Sequence, residues 1–147
     1  MKNILACLFT AFILCSCGTD KEKKQTIKLK EPTKKELTAI EKSAQRGKEI
    51  YRELCVTCHL TNGKGVTGAF PPLNPSDWIT GKRKESIHAV KYGLKGEIVV
   101  NGVTYNNIMQ YQGLDDEEVA DVLNYIIDTW NPTEKMVTVE EVQQIKK

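Results

Sequence analysis

The hydrophobic pattern changes character several times along the chain. Ile4 to Leu14 is an apolar run containing Phe9, Phe12 and Ile13, whereas Gly18 to Glu36 is Lys-rich and poor in large apolar residues. From Thr38 the pattern becomes periodic. Ala44, Gly47, Tyr51 and Leu54 recur at intervals of three and four, with charged residues between them, which predicts a helix over 38–54. Gly47 inside that helix costs about 1 kcal/mol relative to Ala, so the missing side chain predicts close approach by another helix. The partner is the clearest helix of the chain, in which Val119, Val122, Leu123, Ile126, Ile127 and Trp130 repeat at helical spacing after Gly113. Asp115 with Glu118 forms a capping-box start, and Asn131-Pro132 stops it. Two terminal helices crossing face to face are expected, with Tyr125 or Trp130 near the gap.

Shorter elements lie between them. Lys84 to Tyr92 reads as a helix closed by Gly93, with Ile87 and Val90 inward. Ile98 to Tyr105 reads as a hairpin, because Asn101-Gly102 supplies the positive φ angles of a two-residue type I′ turn. Thr61 to Ser76 is a Gly- and Pro-rich loop, and Thr138 with Glu141 repeats the capping-box pattern, so a short surface helix is expected near the end of the chain. There is no internal repeat.

Charge separates the segments. The formal net charge of the chain is +2, but Gly18 to Leu37 holds seven Lys against four acidic residues, while Thr38 onward holds thirteen basic against fifteen acidic. The periodic region is therefore mildly acidic, which argues against a nucleic-acid partner. Lys2, the apolar run and Ser16-Cys17-Gly18 have the layout of an export signal, and the run is too short to span a bilayer. Leu14-Cys15-Ser16-Cys17 resembles a bacterial lipobox, in which cleavage precedes a Cys that becomes lipidated. Cys17 is the acceptor on this reading; an ordinary signal peptide or an uncleaved anchor is the alternative. The expected organisation is a signal peptide at 1–16, a lipidated Cys and flexible tether at 17–37, a domain at 38–132 and a tail at 133–147. A coil of about 20 residues has a reach of roughly 25 Å. Of the five Cys, only Cys55 and Cys58 then belong to the domain.

Those two thiols carry the chemistry. Cys55-Val56-Thr57-Cys58-His59 is the C-x-x-C-H attachment pattern for c-type haem: each thiol adds across one vinyl group of the porphyrin, and the adjacent imidazole ligates the iron. A disulfide, half a zinc site or a redox-active dithiol are the competing readings, although the strand-then-helix context of a thioredoxin-type motif is missing.

Helix, C-x-x-C-H, Gly/Pro-rich loop, short helices, a Met and a final amphipathic helix resemble a class I monohaem cytochrome c over about Ala44 to Asn131, most nearly the cytochrome c domains associated with copper nitrite reductases and terminal oxidases. The resemblance implies an all-α cytochrome c fold around one covalent haem c, with the hairpin as a small insertion. It makes Cys55 and Cys58 the thioether residues and His59 the proximal ligand. It puts the proline whose carbonyl accepts from the free imidazole nitrogen at Pro72, with Pro71 as the neighbouring candidate. Met109, in the loop before the last core helix, is the expected sixth ligand, and Gln110 follows it where the family commonly has Pro, which bears on the loop's rigidity. His88, the other His, is the bis-His alternative. Trp78 and Arg83 are candidates to reach a haem propionate, against readings as a core aromatic and a solvated charge.

His/Met ligation leaves no open position on the iron, so the expected function is not enzymatic. It is that of a monomeric electron carrier, lipid-anchored on the periplasmic side of a bacterial envelope. Its expected partners are a quinol-oxidising complex and a terminal oxidase or nitrite reductase. A haem enzyme or a gas or redox sensor with a labile sixth ligand is the alternative.

Overall fold

The computed structural model describes residues 36–147. The expected signal peptide, Cys17 and nearly all of the tether lie outside the described residues. Helix α1 (Ala39–Ile50) starts at Thr38, whose side chain accepts from the Glu41 amide while the Glu41 carboxylate accepts from the Thr38 amide at 2.7 Å. The helix does not stop at Leu54. It passes through a π-helical turn (Tyr51–Cys55) into α2 (Val56–His59), and then come α3 (Asp77–Gly81) and α4 (Arg83–Tyr92). Strands β1 (Ile98–Val100) and β2 (Val103–Tyr105) pair antiparallel, with Ile98 opposite Tyr105. Positive φ values of 49° at Asn101 and 78° at Gly102 make the expected tight turn. Helix α5 (Asp116–Trp130) opens on the Asp115–Glu118 capping box, and α6 (Val139–Gln144) follows a short linker.

The core forms where α1 crosses α5. Val119, Val122, Leu123, Ile126 and Ile127 are all buried on α5, and a Cβ on Gly47 would fall on the Asp121 carbonyl, so the two backbones touch as the glycine predicted. The crossing also carries a buried polar net. Asp121 accepts from Ser43 Oγ at 2.6 Å and from Arg46 Nε and Nη2 at 2.5 and 2.7 Å. Asn124 donates to Ser43 Oγ and to the Val137 carbonyl, both at 2.9 Å, and accepts from the Val137 amide at 2.7 Å. These bonds satisfy the Asp121 and Asn124 side chains, which is the condition for polar groups at such a crossing.

The expectation of a surface helix at the end of the chain needs correcting. Val137 and Val142, at 1% and 0% exposure, belong to the same apolar cluster as α5. Arg83 holds the segment in place: Nε and Nη2 pair with Glu141 at 2.6 and 2.8 Å, and Nη1 and Nη2 donate to the Lys135 and Met136 carbonyls at 2.8 Å each. The pairing raises the Arg83 pKa and lowers that of Glu141. Arg83 is therefore committed to the chain's own C-terminal segment, and its expected pairing with a propionate is withdrawn.

Candidate functional site

The π turn decides what α1 presents beyond Tyr51. One extra residue in the turn shifts the helical phase, so Leu54, expected inward, is 39% exposed, while Cys55 is half-buried. The Tyr51 hydroxyl donates to the Leu60 carbonyl at 2.7 Å. Its ring sits 5.2 Å from that of Tyr125 and 5.3 Å from that of Trp130, so both expected aromatics flank the crossing. Leu60 ends α2 at φ 63°, a costly conformation for a branched side chain. The Tyr51 bond and the Gly63 amide, which donates to the Leu60 carbonyl at 3.2 Å, hold the reversal there.

His59 is buried, and its Nδ1 donates to the Pro71 carbonyl at 2.9 Å. Pro72 was the expected acceptor, so the partner is one residue earlier. The reason lies in the loop. Val66 and Phe70 form an isolated bridge, the Leu73 amide is tied to the Gly63 carbonyl at 2.7 Å, and Gly65, at φ 60°, passes so close that a Cβ would lie 2.6 Å from the Pro71 oxygen. Those constraints aim the Pro71 carbonyl at the imidazole and leave Pro72 as a lining residue of the cavity. Because a carbonyl only accepts, Nδ1 carries the proton and Nε2 keeps its lone pair. Burial lowers the His59 pKa, against the opposing effect of the Pro71 bond, so the ring is neutral at ordinary pH and suited to ligate a metal.

The Cys55 thiol is pushed up to about 11 by burial and by the neighbouring Cys58. A reactive dithiol needs the opposite shift. Met109 is placed by its backbone, its amide and carbonyl each bonding Leu94 at 2.9 Å. Gly93, at φ 83°, makes this approach possible, since a Cβ there would lie 2.7 Å from the Met109 oxygen. The rigidity that Gln110 put in question is supplied from the end of α4. Sequence reasoning had given Gly93 only the role of closing that helix, and it missed Gly65 and the Tyr51 hydroxyl altogether; a glycine within reach of each ligand segment was the available signal for the first two.

These residues converge. A deep cavity and an outer one share Cys55, His59, Pro71, Leu94, Ile98, Met109 and Gln112, which makes them one continuous slot. Pro72 and half-buried Trp78 line its deep part, and Cys58 lines its outer part. The Ser76 and Ser86 hydroxyls in the deep part are engaged with backbone groups of α3 and its flanks, so the lining is effectively apolar. His88 lies elsewhere, in a groove with Glu141 and Ile145, edge-on to Tyr92 at 5.2 Å. Among the described residues no three His, Cys, Asp or Glu side chains are grouped to hold a bare ion. The donor set therefore fits a flat apolar cofactor that brings its own equatorial ligands: two thiols at the edge, an imidazole with a free Nε2, and a thioether.

An apolar slot with that donor set defines a c-type haem protein. The chain belongs to the cytochrome c family, matching it over residues 44–130, and members of this family carry one covalently bound haem c per domain. It is 39% identical over 110 residues to cytochrome c-552 of Thermus thermophilus, covering 68% of this chain and 83% of that protein. It is 32% identical over 114 residues to the gluconate 2-dehydrogenase cytochrome c subunit of Pantoea cypripedii (71% and 24% covered). It is 29% identical over 86 residues to the cbb3-type cytochrome c oxidase subunit FixP of Bradyrhizobium diazoefficiens (55% and 28% covered). The last two proteins are much longer than the segment they share with this chain.

Proposed function

We propose that this protein is a lipid-anchored electron carrier of the bacterial envelope, in which Cys55 and Cys58 would form the thioethers, His59 and Met109 would ligate the iron, and Trp78 would lie beside the propionates. The observation that carries the reading is that His59, Met109 and both thiols line one apolar slot. Haem c supplies an iron that gains and loses one electron. The protein does the rest. The Pro71 carbonyl fixes the His59 ring and raises the basicity of Nε2, the apolar walls exclude water and favour the less charged reduced state, and the thioether of Met109 does the same through soft ligation.

With His59 and Met109 both holding the iron, no position would be left for a substrate, and the haem would be open to redox partners at the mouth beside Cys58. The mouth there is formed by Leu54, Phe70, Asn107, Ile108 and Gln110, which suits small, short-lived encounters. Once the signal peptide at 1–16 is removed, a tether at 17–37 lipidated at Cys17 holds the domain at the periplasmic face, where confinement raises its effective concentration near membrane partners. Among the described residues no helix is long and apolar enough to cross a membrane. The donor on this reading is a quinol-oxidising complex, and the relative named as an oxidase subunit favours a terminal oxidase as acceptor, with a nitrite reductase as the competing acceptor.

The test is Met109→Ala. The oxidised parent should show the weak sulfur-to-iron charge-transfer band at the red end of the visible spectrum, and the variant should lose it and bind carbon monoxide when reduced. Ready carbon monoxide binding by the reduced parent would overturn the carrier reading in favour of a sensor or enzyme.

A further inference from the structure

Asn107 stands exposed at the mouth of the slot, two residues before Met109. Its Nδ2 donates to the Ala69 carbonyl at 2.9 Å. Ala69 belongs to the opposite rim, the tight loop closed by the Val66–Phe70 bridge, and lies two residues before the proline whose carbonyl holds His59. Among the described residues this is the one hydrogen bond between residues 105–112 and 60–75. Between the end of β2 at Tyr105 and the bridge at Met109, the residues Asn106, Asn107 and Ile108 are all exposed, and the Asn107 amide is what ties that stretch to the rest of the fold.

We propose that Asn107 is the latch of the slot: its bond to Ala69 couples the segment bearing Met109 to the loop that orients His59, and so governs how readily an outside ligand displaces Met109. The proposal rests on Met109 being the sixth ligand. Displacement requires the Met109 segment to swing off the opposite rim, and the apparent affinity of an incoming ligand scales with the fraction of molecules open in this way. An exposed neutral hydrogen bond of ordinary strength changes that fraction by roughly threefold to tenfold.

The experiment is an imidazole titration of the oxidised, haem-loaded protein, followed by loss of the sulfur-to-iron band. It compares the parent with Asn107→Ala, Asn107→Asp and Asn106→Asp. An ionised Asp keeps the shape of Asn but only accepts hydrogen bonds, so it cannot bond a carbonyl. Asn106→Asp places the same charge one residue away, where the side chain has no bond to lose. Both Asn107 variants should bind imidazole about threefold to tenfold more tightly than the parent, with Asn106→Asp like the parent and with helix content unchanged in all three. Parent-like affinity in Asn107→Asp, or an equal gain in Asn106→Asp, overturns the latch while leaving Met109 as ligand. A parent without the band, or a band that survives Met109→Ala, removes the Met109 reading and the latch with it.

Discussion

Replacing Gly47 by Ala sets two effects of opposite sign against each other. In an exposed helix the change would stabilise the protein by about 1 kcal/mol through propensity alone. Here a Cβ would fall on the Asp121 carbonyl and lie 2.8 Å from the Val122 amide nitrogen. Both are backbone atoms of the facing helix, so no side-chain rotation relieves the overlap and α1 must move away from α5. Overpacking a close-packed core costs about 1–3 kcal/mol. The movement also stretches the bonds that hold the buried Asp121 carboxylate to Ser43 at 2.6 Å and to Arg46 at 2.7 Å, and a weakened bond to a buried charge costs a further 1–3 kcal/mol or so. Overlap and weakened bonds together exceed the propensity gain, leaving a net loss of about 1–5 kcal/mol. For a domain of this size the midpoint then falls by roughly 5–25 °C. Thermal and denaturant unfolding of the haem-loaded protein, followed by far-ultraviolet circular dichroism, measures it. A Gly47→Ala variant as stable as the parent, or more so, would show that the crossing is not set by backbone contact and would refute the reasoning.

Two further outcomes follow from the surface. The lining of the slot's outer part contains no Lys, Arg, Asp or Glu, so electron self-exchange between oxidised and reduced copies, measured by NMR line broadening, should change by well under the tenfold or more typical of charge-steered encounters as salt is varied. Ile108→Lys should introduce a salt dependence, and a steep dependence in the parent would contradict the expectation. At the C-terminal segment, the hydrogen bond from Arg83 holds the Glu141 carboxyl below its usual range against the opposing effect of burial. A carboxyl depressed in the folded state adds stability above its unfolded value of about 4.3, and this is lost as pH falls through the folded value. Glu141→Gln should therefore be less stable than the parent near pH 7 by at most about 1 kcal/mol, the pair being partly exposed. The gap should close in acid, and a gap that widened on acidification would reverse the assignment.

What could be read from the sequence was local in range. The capping box at Asp115 and Glu118, the turn at Asn101-Gly102 and the apolar stripe of α5 each depend on residues within a few positions of one another, and each appears where expected. What could not be read depends on distant partners. Pro71 and Pro72 are equivalent as residues, and only the positive φ of Gly65 with the Val66–Phe70 bridge decides which carbonyl meets His59. Val137 and Val142 form too short a pattern to announce a core, and their burial follows from Arg83 and Asn124, at least 13 residues away in sequence, reaching the segment that holds them. The same long range explains why Arg83 looked free for a cofactor carboxylate.

The π turn at Tyr51–Cys55 brings these scales together. Along α1 the face marked by Ala44, Gly47 and Tyr51 is turned to α5, and an unbroken α-helix would continue it through Leu54 and leave Cys55 beside the stripe. The added residue rotates the chain at that point, so that Leu54 moves to the mouth and Cys55 lines both parts of the slot. One continuous helical segment therefore serves two neighbours, the facing helix before Tyr51 and the cofactor after it. Tyr51 is the pivot, with its ring in the aromatic cluster of the crossing and its hydroxyl on the carbonyl that follows His59. Nothing in the spacing of apolar residues encodes such a phase change. It follows from what the segment must satisfy at both ends, a glycine-set crossing at one and a buried imidazole at the other.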